Sequence, residues 1–199
     1  LTAVFLSRFA RGRVGSFLRS GVELLAGIPS VVYGFFGLVV IVPFVRLLGP
    51  GTGLSVLAAS LILGIMILPT IITVAQSALD AVPARYYEGA LALGVDHEHA
   101  VFKVVAPAAA SGIMAAIVLG LGRAIGETMA VVMVAGNMPI IPDSLLSGVR
   151  TMTANIVLEM GYAADLHREA LIATGVVLFV FVLLTTMLLS VIRKRGEAR

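Results

Sequence analysis

Two stretches of this chain admit few folds. Ala170 to Ile192 runs for twenty-three residues without a charge, and Leu24 to Val45 for twenty-two. As helix, either is long enough to cross the roughly 30 Å hydrocarbon core of a bilayer. Leu54 to about Val74 forms a third such run, and a fourth begins at Val104. Hydrophobic residues make up 59% of the 199 and charged residues 13%, a balance that few soluble domains show. The chain therefore reads as an all-α polytopic transmembrane bundle of one domain, 1–199, with spans near 24–45, 54–74, 104–126 and 170–192.

The charges set its orientation. Arg8, Arg11, Arg13 and Arg19 lie before the first span, Arg85 and Lys103 between the second and third, and Arg193, Lys194, Arg195 and Arg199 after the last. These three segments hold ten of the fourteen basic residues, and basic residues mark the cytoplasmic side. Parity agrees, so the C-terminus reads as cytoplasmic and 143–168 as external, with Met152 to Met160 an interfacial or partly inserted helix. Leu1 to Leu6 read as the tail of a span whose start is missing, an N-terminally truncated chain.

Proline and glycine punctuate the runs. Gly27-Ile28-Pro29 should break the entry to the first span, with regular helix resuming near Ser30. Gly49 to Gly53 reads as an external turn, and Pro69 predicts a kink within the second span. The run from Val104 through Pro142 is too long for one crossing, which predicts a break or re-entrant bend near Gly136 to Pro142.

The longest charged interval between apolar runs is 80–103. Open backbone of this length cannot lie in lipid, so the segment must sit at a water interface. Its chemistry is that of a short helical hairpin. Pro83 suits a first helical position, Gly94 a left-handed stop, and Asp96 the cap of the next helix, with Glu98 in its first turn.

Arg123 and Glu127 are the opposite charges that stand inside a membrane-like run, in Gly122-Arg123-Ala124-Ile125-Gly126-Glu127-Thr128. Four residues apart, they would share a face of a continuous helix and could pair. Gly122 and Gly126 would permit close helix approach on the neighbouring face. Ionisable residues within a span suggest a substrate path, and an Arg fork suits an oxyanion; a pair that only fixes helix packing is the plainer alternative. His97 and His99 are two apart, the wrong spacing for one helix face, and read as a solvated loop. His167 has no evident partner. Tyr86 and Tyr87 could enter a partner's groove or anchor at the interface, and Met129, Met133 and Met138 read as packing. With no Cys there is neither a disulfide framework nor a thiol nucleophile. Neither lysine, Lys103 or Lys194, stands in a Gly-Lys-Ser/Thr sequence, so any ATP and Mg²⁺ would be bound by another polypeptide.

Two motifs carry a family resemblance. Glu88, Gly89, Ala90, Gly94, Val104 and Pro107 stand at the spacing of the cytoplasmic loop of bacterial ABC-importer permeases, with Gly89 and Ala106 in place of the usual Ala and Leu. Gly120 to Val131 with Gly136-Asn137, Leu25 to Gly34, and Ala154-Asn155-Ile156 with Glu159-Met160-Gly161 resemble the permease subunit of phosphate-specific ABC transporters. Sulfate and molybdate permeases typically carry a different sequence after Gly-Glu. The resemblance implies a type I importer permease in the bacterial inner membrane that translocates inorganic phosphate without an ATPase site of its own. Its implied partners are ATP-binding cassette subunits, a second phosphate permease, an extracytoplasmic phosphate-binding protein and membrane lipid, and no nucleic acid. It implies a substrate pathway through Arg123, Glu127 and Thr128, and ATPase coupling through Tyr87, Glu88, Gly89, Ala90, Gly94 and Pro107. A sulfate or molybdate permease is the nearest alternative, and a secondary anion carrier or channel the more distant one.

Overall fold

A computed structural model describes residues 1–10 and 12–197, with side chains as far as Val191. Arg11 and Arg199, and the side chains of Arg193, Lys194 and Arg195, lie outside the described residues. Within those limits every regular element is a helix, and pairing between extended segments is confined to one bridge, Gly136 to Val149. The helices are α1 (Thr2–Val4, continuing as a π-turn through Phe5–Phe9), α2 (Gly12–Gly27), α3 (Ser30–Arg46), α4 (Val56–Asp80), α5 (Ala84–Ala92) and α6 (His97–Ala108). They are followed by α7 (Ala110–Ile125), α8 (Met129–Val134), α9 (Met152–Glu159) and α10 (Asp165–Glu197).

Helices α4 and α10 are each long and apolar enough to cross a membrane. Counting α2 with α3 and α6 with α7 as bent pairs brings the total to as many as four. Along α10 apolar side chains stay uncovered, Phe179 at 66% and Leu188 at 62% exposed, a surface that needs hydrocarbon rather than water around it. Helix α4 runs unbroken through Pro69, whose carbonyl also accepts the Thr73 hydroxyl at 2.9 Å. Helix α3 restarts at Ser30 with Pro29 in extended backbone just before it, as the Gly27-Ile28-Pro29 sequence predicts.

The third span ends within a residue of its expected bound and carries a sharp bend near its start. Helix begins at His97, with Asp96 in the cap position as expected, and bends by 66° at Ala109, two residues past Pro107. Proline has no N–H for the helical ladder, and a π-turn over Ala100–Val105 precedes it. Helix α7 then stops at Ile125, one break earlier than the bend predicted near Gly136. A second interruption follows α8, with Gly136 and Asn137 both at positive φ, 85° and 51°.

The contacts divide the chain into two compact units. One comprises Leu1–Gly27, Leu68–Leu121 and Thr186–Arg199, the other Ile28–Ile67 and Gly122–Thr185. The first is built on Val4, Leu79, Val101 and Val105, all buried. The second has two buried clusters, Val45, Ala58, Val131 and Val134 in one, and Tyr33, Ile62, Met66 and Ala130 in the other. In it α3 lies hard against α8: a Cβ on Gly34 would stand 2.9 Å from Ala130 Cα and 2.8 Å from Met133 Sδ. Backbone cannot yield as a side chain can, so Gly34→Leu is expected to destabilise the protein by about 1–3 kcal/mol or more. The check is the half-unfolding temperature of the purified protein in detergent. An unchanged temperature would contradict the close approach.

Candidate functional site

The charged segment of the third run lies at a helix break. Helix α7 closes with Gly126 N–H on Gly122 O at 3.3 Å and Glu127 N–H on Ala124 O at 3.2 Å, and α8 opens at Met129. Thr128, before α8, donates its hydroxyl to Gly126 O at 3.4 Å. Glu127 faces forward: its Oε1 accepts Ala130 N–H at 3.1 Å, satisfying an N-terminal donor of α8. Its carbonyl accepts the Thr153 hydroxyl from α9 at 3.2 Å. The expectation of one continuous helix carrying Arg123 and Glu127 on one face is therefore corrected. Gly126 permits the stop, and the carboxylate supplies the acceptor that the following helix lacks.

Arg123 sits in the last turn of α7 with its side chain exposed, while Glu127 and Thr128 are half-buried. The buried Tyr33 of α3 is close enough for the Arg123 charge to act on its phenol. Two segments far apart in the chain, the one around Gly34 and the one around Ala130, thus meet here. The site thus combines a helix break with an arginine and an acid inside an otherwise apolar run.

A second polar cluster joins the 137–167 segment. Arg150 donates through Nε to Asn137 O at 2.9 Å, and through one terminal nitrogen to Asn155 Oδ1 at 3.3 Å and Glu159 Oε1 at 2.7 Å. His167 Nε2 stands 3.7 Å from Glu159 Oε2 and its ring meets Tyr162 edge-on, so His167 is not without partners. The Glu159 carboxyl is held below its ordinary value, first by a hydrogen bond from the Tyr162 hydroxyl, against the opposing pull of burial, and then by Arg150 and His167. A depressed folded value means that the carboxylate stabilises the fold above the ordinary carboxyl pKa, and that this contribution disappears as pH falls through the lowered value. Acidification below about pH 4.5 is expected to lower the unfolding temperature of the wild type more than that of Glu159→Gln. Parallel curves for the two would remove the ion pair from the account. Sequence spacing concealed this cluster, because Arg150 lies outside α9 and reaches Asn155 and Glu159 from before its first turn.

The 80–103 segment is the helical hairpin its residues predict. Gly94 adopts φ +83° and its N–H meets Leu91 O at 2.9 Å. Two details differ. Pro83 precedes the first helical residue instead of being it. Asp96 occupies the cap position of α6, but its Oδ1 bonds His99 Nδ1 at 2.6 Å rather than a backbone N–H. His97 is no solvated loop residue: Nδ1 lies 2.8 Å from the Tyr87 hydroxyl, and the ring packs edge-on against Phe9. Of the expected docking residues, Glu88, Gly89, Gly94 and Pro107 are exposed, Ala90 is buried, and Tyr87 turns inward to His97. Tyr86 is the outward aromatic, with the Arg85 guanidinium 5.7 Å from its ring centre.

This order of helices is the type I ABC importer permease fold. Solved structures include a chain of the MetNI methionine ABC transporter, inward facing, that superposes with a TM-score of 0.74 at 21% identity, covering 98% of this chain and 84% of that one. The chain belongs to the family described as binding-protein-dependent transport system inner membrane component, whose pattern it matches over residues 1–196. It is 40% identical over 198 residues to the probable ABC transporter permease protein YqgH of Bacillus subtilis, covering 98% of this chain and 64% of that protein. It is 35% identical to the phosphate transport system permease protein PstC of Mesorhizobium japonicum, covering 99% of this chain and 67% of that protein. With PstC 1 of Mycobacterium tuberculosis the identity is 37%, over 83% of this chain and 56% of that protein. The chain spans about two thirds of the length of the curated relatives it matches.

Proposed function

We propose that this chain contributes the membrane pathway of an ATP-driven importer of inorganic phosphate. The observation that carries the reading is the break between α7 and α8, which leaves Arg123, Glu127 and Thr128 around interrupted backbone within an apolar run. Names of relatives aligned along nearly the whole chain supply the substrate class. In this reading Arg123 offers a fork of charged donors to a tetrahedral oxyanion. Glu127 holds the start of α8 so that the break keeps its shape, and Thr128 lines the same interruption.

Energy enters through other subunits. ATP-binding cassette subunits bind ATP and Mg²⁺ and press on the hairpin formed by α5 and α6, with Glu88 outward and Gly94 at the turn. A second permease completes the pathway, an extracytoplasmic phosphate-binding protein delivers the anion, and the C-terminus lies in the cytoplasm. An impermeant thiol reagent applied from outside should then fail to label a cysteine appended after Arg199; labelling in sealed cells would reverse the orientation.

The test of function is accumulation of labelled phosphate by cells that depend on this protein for phosphate entry. Uptake should need ATP and persist in excess unlabelled sulfate and molybdate. Equal competition by either anion would replace phosphate as the substrate, and uptake independent of ATP would make the protein a carrier.

A further inference from the structure

The N-terminal segment and the hairpin of the first unit enclose a cavity of about 630 Å³ to which the transport reading gives no role. Two guanidinium groups line it, Arg8 of α1 and Arg19 of α2, together with the hydroxyls of Ser16 and Ser20; the Ser7 hydroxyl, also in the wall, already donates to Asp80 Oδ1. Glu23 is its one acidic lining residue. Both arginines are anchored by a single terminal nitrogen, Arg8 on Leu79 O at 2.6 Å and Arg19 on Leu6 O at 2.8 Å. Their backbone partners are neutral, so neither bond cancels a positive charge. Arg8 Nε is buried and has no acceptor among the described residues, an unsatisfied charged donor that ordinarily costs stability. Gly12 and Gly15 bring the first turn of α2, with its outward N–H groups, to the same wall.

We propose that this cavity is an anion site for a phosphate-bearing group at the cytoplasmic face of the membrane. A phosphate can take several charged donors at once and hydroxyl donors around them, which is the set present. The same chemistry is offered by free inorganic phosphate and by the headgroup of an anionic phospholipid. Tyr87 and His97 line the cavity opposite the arginines and are hydrogen-bonded to each other, so an occupant would touch the hairpin from within the unit. The site is built from residues other than the Arg123 segment and does not depend on the reading given to it.

The experiment uses the full-length protein purified in its assembled complex, each variant built on Arg123→Gln so that the proposed pathway contributes no phosphate binding. One arm measures binding of labelled inorganic phosphate in detergent without lipid. The other measures, by native mass spectrometry, retention of phosphatidylglycerol from nanodiscs that also contain phosphatidylcholine. Ser20→Glu adds a negative charge on an exposed turn of α2 without touching either arginine anchor. Arg19→Gln removes a donor fork, and Arg19→Lys keeps the charge. Ser20→Glu and Arg19→Gln should each weaken retention about tenfold or more, with Arg19→Lys between them and the parent. Loss confined to the first arm identifies free phosphate as the occupant, and loss confined to the second identifies the lipid headgroup. Equal retention by the parent and both charge variants in the two arms overturns the site.

Discussion

Gly94→Pro is expected to leave the protein inserted in the membrane and its complex hydrolysing ATP while phosphate uptake falls to background. The turn between α5 and α6 holds Gly94 at φ +83°, and proline fixes φ near −65°. The substitution also deletes the N–H that meets Leu91 O at 2.9 Å. Forcing the ring into this turn would cost about 3 kcal/mol or more, enough to re-aim α5 against α6. The apolar runs themselves are unchanged, so insertion should survive. Gly94→Ala separates strain from bulk: a Cβ there meets nothing within 4 Å, so only the left-handed conformation, about 1 kcal/mol, opposes it. Uptake should therefore be partly retained in Gly94→Ala. Cysteine at the exposed Glu88 should cross-link to an ATPase subunit in the intact complex. Full uptake by Gly94→Pro would remove the hairpin from the coupling path.

Arg123→Gln is expected to reduce phosphate uptake by about 10–100-fold per assembled complex. Hydrogen bonds from a charged donor contribute roughly 1.5–3 kcal/mol each, and about 1.4 kcal/mol is a factor of ten in rate. Arg123→Lys should recover only part of this, because an ammonium keeps the charge and loses the planar fork. Glu127 behaves differently. Its Oε1 holds Ala130 N–H, and a glutamine carbonyl can hold the same donor. Glu127→Gln should therefore be milder than Glu127→Ala, which strips a helix-end acceptor and costs about 0.5–2 kcal/mol.

Much of this architecture is written locally in the chain. Pro29 before Ser30 restarts α3 because proline suits a helix start and not its interior, and Gly94 marks the hairpin turn because a left-handed residue costs glycine least. The apolar runs that became α4 and α10 were legible for the same reason: length and lack of charge leave a helix few alternatives. What was illegible depends on distant partners. The run's end near residue 126 was legible, but not what holds α7 to its stop there. The stop is fixed by Glu127 reaching forward to Ala130 and by Thr153 bonding its carbonyl from another helix. His97 reads as loop until Phe9, from the opposite end of the unit's sequence, supplies the ring it packs on. Arg150 stands outside α9, so no helical spacing in the sequence pairs it with Glu159.

The central claim is that Arg123 meets the passing anion rather than merely holding Glu127. Phosphate uptake by the wild type, Arg123→Gln, Glu127→Gln and the double variant, each normalised to assembled complex, tests it most directly. If the two residues only neutralised each other, a single change would strand an unpaired charge, and the double change would relieve it. The account predicts that the double variant remains as defective as Arg123→Gln alone; recovery of uptake in the double variant would contradict it.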